Sequence, residues 1–318
     1  MSDDMRPEPF PLRMIDGLIA ARPQLFGVIC AFLATAVWSG NFIAGRFFVD
    51  RVPPLTLVAL RGILASALLF PFALPALRRD WQAIRRRFPY LCLISFLGLT
   101  LPNTFVYVAA IGSEAVNLSI IALTTPLFVL VLSRVFFGEP LSGTRILGVG
   151  LVLCGVLLLL SRGSLETLLH LRFQKGDLFM FGNTVPFAIY TLLVRKTPEG
   201  LSAMSIMLAM MVLGTVFALP GAVWERSGDA PFVFSAQAAL ALLYISLGSS
   251  LVAYGLWNLA VRHAGPARAA IIYYLLPLFC GIEGVLLLGE PIFVVHFASM
   301  LTIVAGLLIA VHTRKPGP

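Results

Sequence analysis

The chain has 318 residues, of which 59% are hydrophobic and 12% charged, and its mean hydropathy is +0.94. Values so far from soluble usage exclude a water-soluble globular protein and require a polytopic membrane protein. The net charge of +8 does not point to nucleic acid, because the basic residues sit in short loops beside apolar stretches, where orientation in a bilayer accounts for them.

A bilayer core takes about 20 apolar residues as a helix. Read with that ruler, the chain has ten predicted spans, near 25–47, 55–77, 90–110, 116–137, 144–161, 177–195, 202–224, 237–260, 267–288 and 292–312. The first 24 residues have no apolar core before Leu25, so no cleaved signal peptide is expected. The sizeable gaps are the Arg-rich 78–88, the 162–176 segment and 225–236, none long enough for a soluble domain. In the 162–176 segment, Leu165, Leu168, Leu169 and Phe173 are spaced for an interfacial amphipathic turn. Cys30, Cys92, Cys154 and Cys280 are scattered singly through apolar runs and predict packing rather than a metal site.

Orientation follows from Lys and Arg. With the N-terminus inside, the inner segments hold Arg6, Arg13, Arg22, Arg78, Arg79, Arg85, Arg86, Arg87, Arg134, Arg145, Arg195, Lys196, Arg262, Arg268, Arg314 and Lys315, sixteen in all. The outer segments hold six: Arg46, Arg51, Arg162, Arg172, Lys175 and Arg226. Both termini are therefore expected in the cytoplasm.

The chain is also a duplication. Pro126, Leu127, Phe128, Gly138, Glu139, Pro140 and Gly155 recur 151 positions later as Pro277, Leu278, Phe279, Gly289, Glu290, Pro291 and Gly306. Each copy reads as a helix loosened by proline, an apolar run and a Gly-Glu-Pro stop. At an offset of 149, Gly27, Arg46 and Pro71 match Gly176, Arg195 and Pro220, and Trp38 falls on Phe187. An odd number of spans per copy makes the second copy insert upside down. Inverted five-span repeats are a common architecture of secondary transporters, with the substrate held near the midplane.

These residues carry a family resemblance. Trp38-Ser-Gly-Asn-Phe, Arg61, Pro126 through Gly138-Glu139-Pro140-Leu-Ser, and Gly155 resemble the EamA repeat of the drug/metabolite transporter superfamily. Within it, comparison is drawn with the aromatic amino-acid exporters of the YddG type. The resemblance covers nearly the whole chain and is weaker in spans 6 and 7, where Met210 stands in the place of Arg61. It implies an all-α membrane protein whose ten transmembrane helices form two inverted five-helix repeats around a central cavity. The expected organisation is a cytoplasmic segment 1–24, a first repeat 25–161, an external connection 162–176, a second repeat 177–312 and a cytoplasmic tail 313–318.

Mid-span polar and aromatic residues are the candidates for substrate contact, because hydrocarbon penalises unpaired polar groups and such side chains turn inward. Trp38 and Asn41 lie one turn apart, Asn103 and Tyr107 are spaced i, i+4, and Asn117 opens span 4. Asn183 and Tyr190 flank Pro186; Tyr254, Trp257 and Asn258 fall at i, i+3 and i+4; span 9 adds Tyr273 and Tyr274. Each aromatic also fits interfacial packing and each amide a helix–helix hydrogen bond, but Trp or Tyr accompanies Asn in spans 1, 3, 6 and 8. Arg61 and Glu283 are the deepest charges and are expected to pair.

No catalytic set and no phosphate-binding glycine loop is present in the sequence, so neither an enzyme nor an ATP-driven pump is expected. The reading is an inner-membrane secondary transporter that exports amino acids, aromatic and other neutral ones included, or related small metabolites by alternating access. Its partners are a small-molecule substrate and the lipid bilayer, without nucleic acid or cofactor, in a monomer or weak dimer. Nucleosides, sugars and cationic drugs are the alternative substrates, and a non-transporting membrane enzyme or scaffold is the alternative of another class. Because the spans lack a carboxylate near the midplane, facilitated rather than ion-coupled flux is expected, with Glu283 the group that would titrate if Arg61 points elsewhere.

Overall fold

The structure, a computed structural model, describes residues 21–48, 51–112, 121–161, 175–228, 235–288 and 294–311, with residues 164, 166, 169, 232 and 233 beside them. Among these there is helix and no strand. The first half comprises α1 (Pro23–Phe48), α2 (Pro54–Arg79), the short α3 (Trp81–Arg86), α4 (Phe88–Ser95) continued through a π-helical turn, Phe96–Thr100, into α5 (Leu101–Gly112), then α6 (Thr124–Phe137) and α7 (Gly143–Leu160). The second comprises α8 (Lys175–Arg195), α9 (Ala203–Arg226), α10 (Ala236–Tyr244) continued through a second π-helical turn, Ile245–Val252, into α11 (Ala253–Ala264), then α12 (Pro266–Tyr273), α13 (Leu276–Leu288) and α14 (Val294–Val311).

Six of the expected spans appear as helices long and apolar enough to cross a membrane: Pro23–Asn41, Pro54–Arg79, Phe88–Ile111, Lys175–Arg195, Ala203–Arg226 and Ala236–Ala264. Thr124–Phe137, Gly143–Leu158 and Phe297–Val311 are shorter apolar helices. The ninth expected span, 267–288, is not continuous but breaks at Tyr274 and Leu275 into α12 and α13. Its counterpart breaks at Leu123, before α6. Pro126 and Pro277 therefore do not loosen a helix midway; they sit in the first turn of α6 and α13, where a missing N–H has no intrahelical partner to lose. Most of the expected amphipathic turn, Leu165, Leu168 and Phe173, lies outside the described residues, as do Glu290 and the end of the chain.

The ends of the helices are chemically marked. Gly138 terminates α6 at φ +64° and donates its N–H to Arg134 O at 3.1 Å, a left-handed stop that only glycine takes without strain. Ser202 caps α9 by accepting from the Ser205 N–H, and Ser235 caps α10 by accepting from that of Ala238.

The two halves pack with a shared symmetry. α1 packs on α11 as α8 packs on α5, and α6 packs on α8 as α12 and α13 pack on α1; α2 packs on its counterpart α9, and α7 on α14. Exchanging the halves maps each pairing onto another. Counterpart helices also run antiparallel. Asp80, closing α2, accepts from the Ser202 N–H at 2.7 Å and the Ser205 hydroxyl at 2.9 Å at the start of α9. At the opposite end, Glu225 of α9 accepts from the Leu55 and Thr56 N–H groups that open α2, at 3.0 and 2.7 Å. Each carboxylate neutralises the orphan donors and positive dipole end of the other helix.

On the far side, α7 and α14 meet through glycine. A Cβ on Gly306 would stand 2.7 Å from Gly148 O and 2.7 Å from Val152 N, so backbone contact excludes any larger residue, as in close membrane helix pairs. Gly150, two residues along α7 from Gly148 and so on the opposite face, meets open space. Gly306→Leu is expected to lower the folded yield and the thermal unfolding temperature in detergent, by about 1–3 kcal/mol or more, while Gly150→Leu leaves both near wild type.

Asp80 is 6% exposed and lies beyond the apolar part of α2. Burial by itself raises its carboxyl, but hydrogen bonds from Ser202, Arg79 and Ser205 outweigh burial and hold it well below the ordinary carboxylate range. A depressed folded value makes its contribution complete above the ordinary value of about 3.9 and lost as pH falls from there toward the folded value. Asp80→Asn is expected to lose about 1–3 kcal/mol at neutral pH, and the gap in unfolding temperature between variant and wild type narrows below about pH 4.

Candidate functional site

Both π-helical turns lie at the same place in the repeat, Phe96 and Ile245 being 149 positions apart. A π turn widens the helix and releases carbonyls from the ladder, and here the released groups take side chains from across the molecule. Trp38 Nε1 donates to Ser249 O at 3.1 Å, and Tyr254 donates to Gly98 O at 2.6 Å. Gly98 also lets the Tyr190 ring come close, since a Cβ there would fall 2.3 Å from it.

Trp38 is the hub of an aromatic cluster. Its ring centroid lies 5.6 Å from Phe187, 5.2 Å from Tyr254, 5.4 Å from Trp257 and 6.1 Å from Tyr273, mostly edge to face, the geometry that ring quadrupoles favour. Trp38 and Phe187 are counterparts in the repeat, so the pseudo-symmetry brings the matching residue of each half to the centre.

Beside this cluster Arg61 is 1% exposed. Nη1 donates to Asn103 Oδ1 and the Tyr107 hydroxyl, both at 2.7 Å, and reaches Asn41 Oδ1 at 3.4 Å. Nε donates to Ser250 Oγ at 2.9 Å, and Ser249 Oγ lies 3.5 Å from Nη2. All five acceptors are neutral. Tyr107 donates onward to Asn41 at 3.1 Å, and Asn103 donates to Leu99 O at 2.6 Å. Two amides, a phenol and two serines from three parts of the chain thus hold one guanidinium. The expected partnership of Arg61 with Glu283 is not formed: Glu283 Oε1 lies 2.6 Å from Ser39 Oγ.

A cavity of about 50 Å³ lies between the aromatic and polar groups, lined by Trp38, Asn41, Pro102, Asn103, Val106, Thr125, Asn183, Phe187, Tyr254 and Tyr273. That space admits water but not a metabolite, whose sites run to about 300 Å³ and more, so the conformation is closed around its centre. Asn183 Oδ1 is buried at this cavity without a hydrogen-bond partner among the described residues. Among the same residues, no group of three His, Cys, Asp or Glu is placed to hold a metal ion.

Comparison with known proteins gives this geometry its family. The model of the EamA-like transporter family matches twice, over residues 25–161 and 174–312. The chain belongs to the EamA-like transporter family. An uncharacterized transporter of Archaeoglobus fulgidus is 30% identical over 272 residues, 85% of this chain and 92% of that one. YetK of Bacillus subtilis, an uncharacterized transporter, is 24% identical over 94% of this chain and 91% of its own. The uncharacterized inner membrane transporter YedA of Escherichia coli is 24% identical over 90% of each chain. A solved crystal structure shares the fold with a TM-score of 0.72 over 89% of this chain and 96% of its own, at 18% identity.

Within this EamA-like chain, the structure brings six of the anticipated residues to the cavity: Trp38, Asn41, Asn103, Asn183, Tyr254 and Tyr273. Tyr107 stands behind them as a partner of Arg61. Trp257 is 1% exposed and braces the cluster from outside, donating to Thr191 Oγ1 at 3.3 Å. Tyr190 donates to Asn258 Oδ1 at 2.6 Å, and Asn258 faces a smaller cavity of about 30 Å³ with Met207 and Arg262. Tyr274 does not reach the site: it is fully buried with its hydroxyl unpartnered among the described residues, and one residue along from Tyr273 its side chain is not among the cavity lining. Asn117 lies outside the described residues.

Phe187, Thr125, Pro102 and Val106 line the cavity without having been singled out, and Ser249 and Ser250 join the Arg61 network. The repeat itself held the signal for Phe187, which falls on Trp38. Trp257→Ala is expected to cost about 3–5 kcal/mol of stability through the hole it leaves, seen as a loss of folded yield and unfolding temperature, whereas Trp257→Phe is expected to recover most of it.

Proposed function

We propose that this chain is a secondary transporter of amino acids, aromatic and other neutral ones included, or of closely related small carboxylates, working by alternating access. The observation that carries the reading is the junction at the cavity. Rings of Trp38, Phe187, Tyr254 and Tyr273 stand on one side, and on the other the amides of Asn41 and Asn103, behind which the buried Arg61 guanidinium is held, among the described residues, by neutral oxygens. Rings suit an apolar or aromatic side chain. A fixed positive charge in a water-poor site suits a carboxylate and repels cations, which speaks against cationic drugs. Asn183 Oδ1, without a partner among the described residues, supplies an acceptor for an amino group.

Ten spans, two inverted repeats with the boundaries 25–161 and 177–312, and both termini in the cytoplasm complete the proposal. The antiparallel counterparts α2 and α9 support the inversion, and the excess of Lys and Arg in the inner segments supports the orientation. A bacterial inner membrane and net export fit the family and the relative YedA, which is named as an inner membrane protein.

Purified protein in liposomes loaded with unlabelled phenylalanine should exchange it for labelled phenylalanine outside, with tryptophan and leucine competing and uridine, glucose and tetraphenylphosphonium not. Competition by uridine or by the cation in place of the amino acids would sink the substrate reading. Asn183→Ala and Asn41→Ala are expected to raise the half-saturating phenylalanine concentration roughly 5- to 100-fold, the equivalent of about 1–3 kcal/mol of a lost hydrogen bond; unchanged saturation in both would remove the polar side of the site.

A further inference from the structure

We propose that Glu283 is a proton-binding site within the membrane and that transport is coupled to its loading and release. The inference goes beyond the substrate reading and rests on transport alone. α13 has the sequence LPLFCGIEGVLLL, in which Glu283 is the one ionisable side chain apart from Cys280. The carboxyl meets α1 at Ser39, the residue next to Trp38.

The hydrogens at this contact can be counted. Ser39 Oγ lies 2.5 Å from Ala36 O and 2.6 Å from Glu283 Oε1. Two such short oxygen contacts each need a hydrogen between them, and a serine hydroxyl carries one. Ala36 O is a backbone acceptor and supplies none. The count closes when the carboxyl brings the second: Glu283 O–H donates to Ser39 Oγ, and the Ser39 hydroxyl donates to Ala36 O. The other carboxyl oxygen, Oε2, is buried with no hydrogen-bond partner among the described residues. A neutral carboxyl tolerates that position; an ionised one would leave half of a charge unsolvated.

Among the described residues, the surroundings offer no counter-charge to replace the proton. On its own helix Cys280 is the neighbouring titratable group, and Tyr244 approaches from α10 while its hydroxyl donates to Val37 O at 2.7 Å. α1 contributes the neutral Ser39, and the side chain of Arg46 on that helix lies outside the described residues. α7, also packed on α13, carries Arg145, which donates to Pro140 O, and the exposed Cys154. Arg61, the buried cation of the site, spends its donors on Asn103, Tyr107 and Ser250.

The coupling is mechanical. Ser39 and Trp38 are adjacent on α1, so any movement of α1 that opens the cavity at Trp38 also pulls Ser39 from Glu283. The freed carboxyl then loses its proton to water on the open side: the O–H bond breaks, its electron pair stays on the carboxylate, and no redox partner is involved. Reclosure requires a proton to return. Glu283 thus answers differently to the two states of the α1–α13 contact, which is what coupling demands.

Two measurements test this. In pH-difference infrared spectra of the purified full chain, wild type should show the C=O stretch of a protonated carboxyl at neutral pH that disappears in alkali; Glu283→Gln should lack it, and Ser39→Ala, which keeps the carboxyl, should shift the pH at which it disappears. In proteoliposomes, wild type should accumulate phenylalanine above its equilibrium ratio under one polarity of an imposed pH gradient, with loss on addition of a protonophore, and Glu283→Gln should not accumulate. A neutral-pH carboxyl band that persists in Glu283→Gln, or wild-type exchange of phenylalanine that ignores the pH gradient, overturns the proposal. If none of the amino acids in the panel exchanges at symmetric pH, the substrate reading fails instead, and the infrared band alone decides the proton site.

Discussion

A buried guanidinium with no carboxylate in reach among the described residues is the constraint around which this interior is arranged. An isolated charge in hydrocarbon costs a few kcal/mol even after relaxation, so Arg61 can be buried only where enough neutral oxygens converge on it. They come from Asn41 in α1, Asn103 and Tyr107 in α5, and Ser249 and Ser250 in the second π-helical turn. That demand ties three helices that are remote in sequence into one register. It also accounts for the π turn, since a regular α-helix would bring one face of Ile245–Val252 to Arg61, whereas the widened turn presents two consecutive serine hydroxyls and leaves Ser249 O free for Trp38.

Duplication supplies the frame and also the asymmetry. Matching helices pack antiparallel, with Asp80 and Glu225 capping each other's partner helices and glycine letting α7 and α14 touch at backbone distance. Trp38 and Phe187 then meet at the centre because a two-fold relation sends equivalent positions to the axis. The polar chemistry does not repeat: Met210, fully buried, stands where the second half would place another arginine. One half brings the charge with Trp38 and Tyr107, and the other brings most of the rings and the two serine hydroxyls. A frame with equivalent halves has two ways of tilting them, and a site with unequal contributions can respond to a substrate in each.

The closed centre is consistent with such a frame. A void of about 50 Å³ between the aromatic cluster and the amides of Asn41, Asn103 and Asn183 leaves no space for a metabolite without displacing α1 or α8, the helices that carry Trp38 and Phe187.

Some of this was already determined by the sequence alone. Composition and the length of apolar runs set the class and the approximate spans, because burial in lipid is additive along a helix and needs no partner. The 149 and 151 offsets set the duplication, and through it the position of Phe187. Most of the cavity residues were legible too, Trp38, Asn41, Asn103, Asn183, Tyr254 and Tyr273 among them, since a polar or aromatic side chain in mid-span has few places to go. Tertiary structure decided the rest. Arg61 and Glu283 looked like partners by depth, yet depth along the membrane normal says nothing of rotation about a helix axis, and the two face different neighbours. Tyr273 and Tyr274 are adjacent in sequence and separated in the fold because consecutive helical residues diverge by about 100°. The π turns, the closed cavity and the oxygens that hold Arg61 all depend on which helices stand side by side, and only packing sets that.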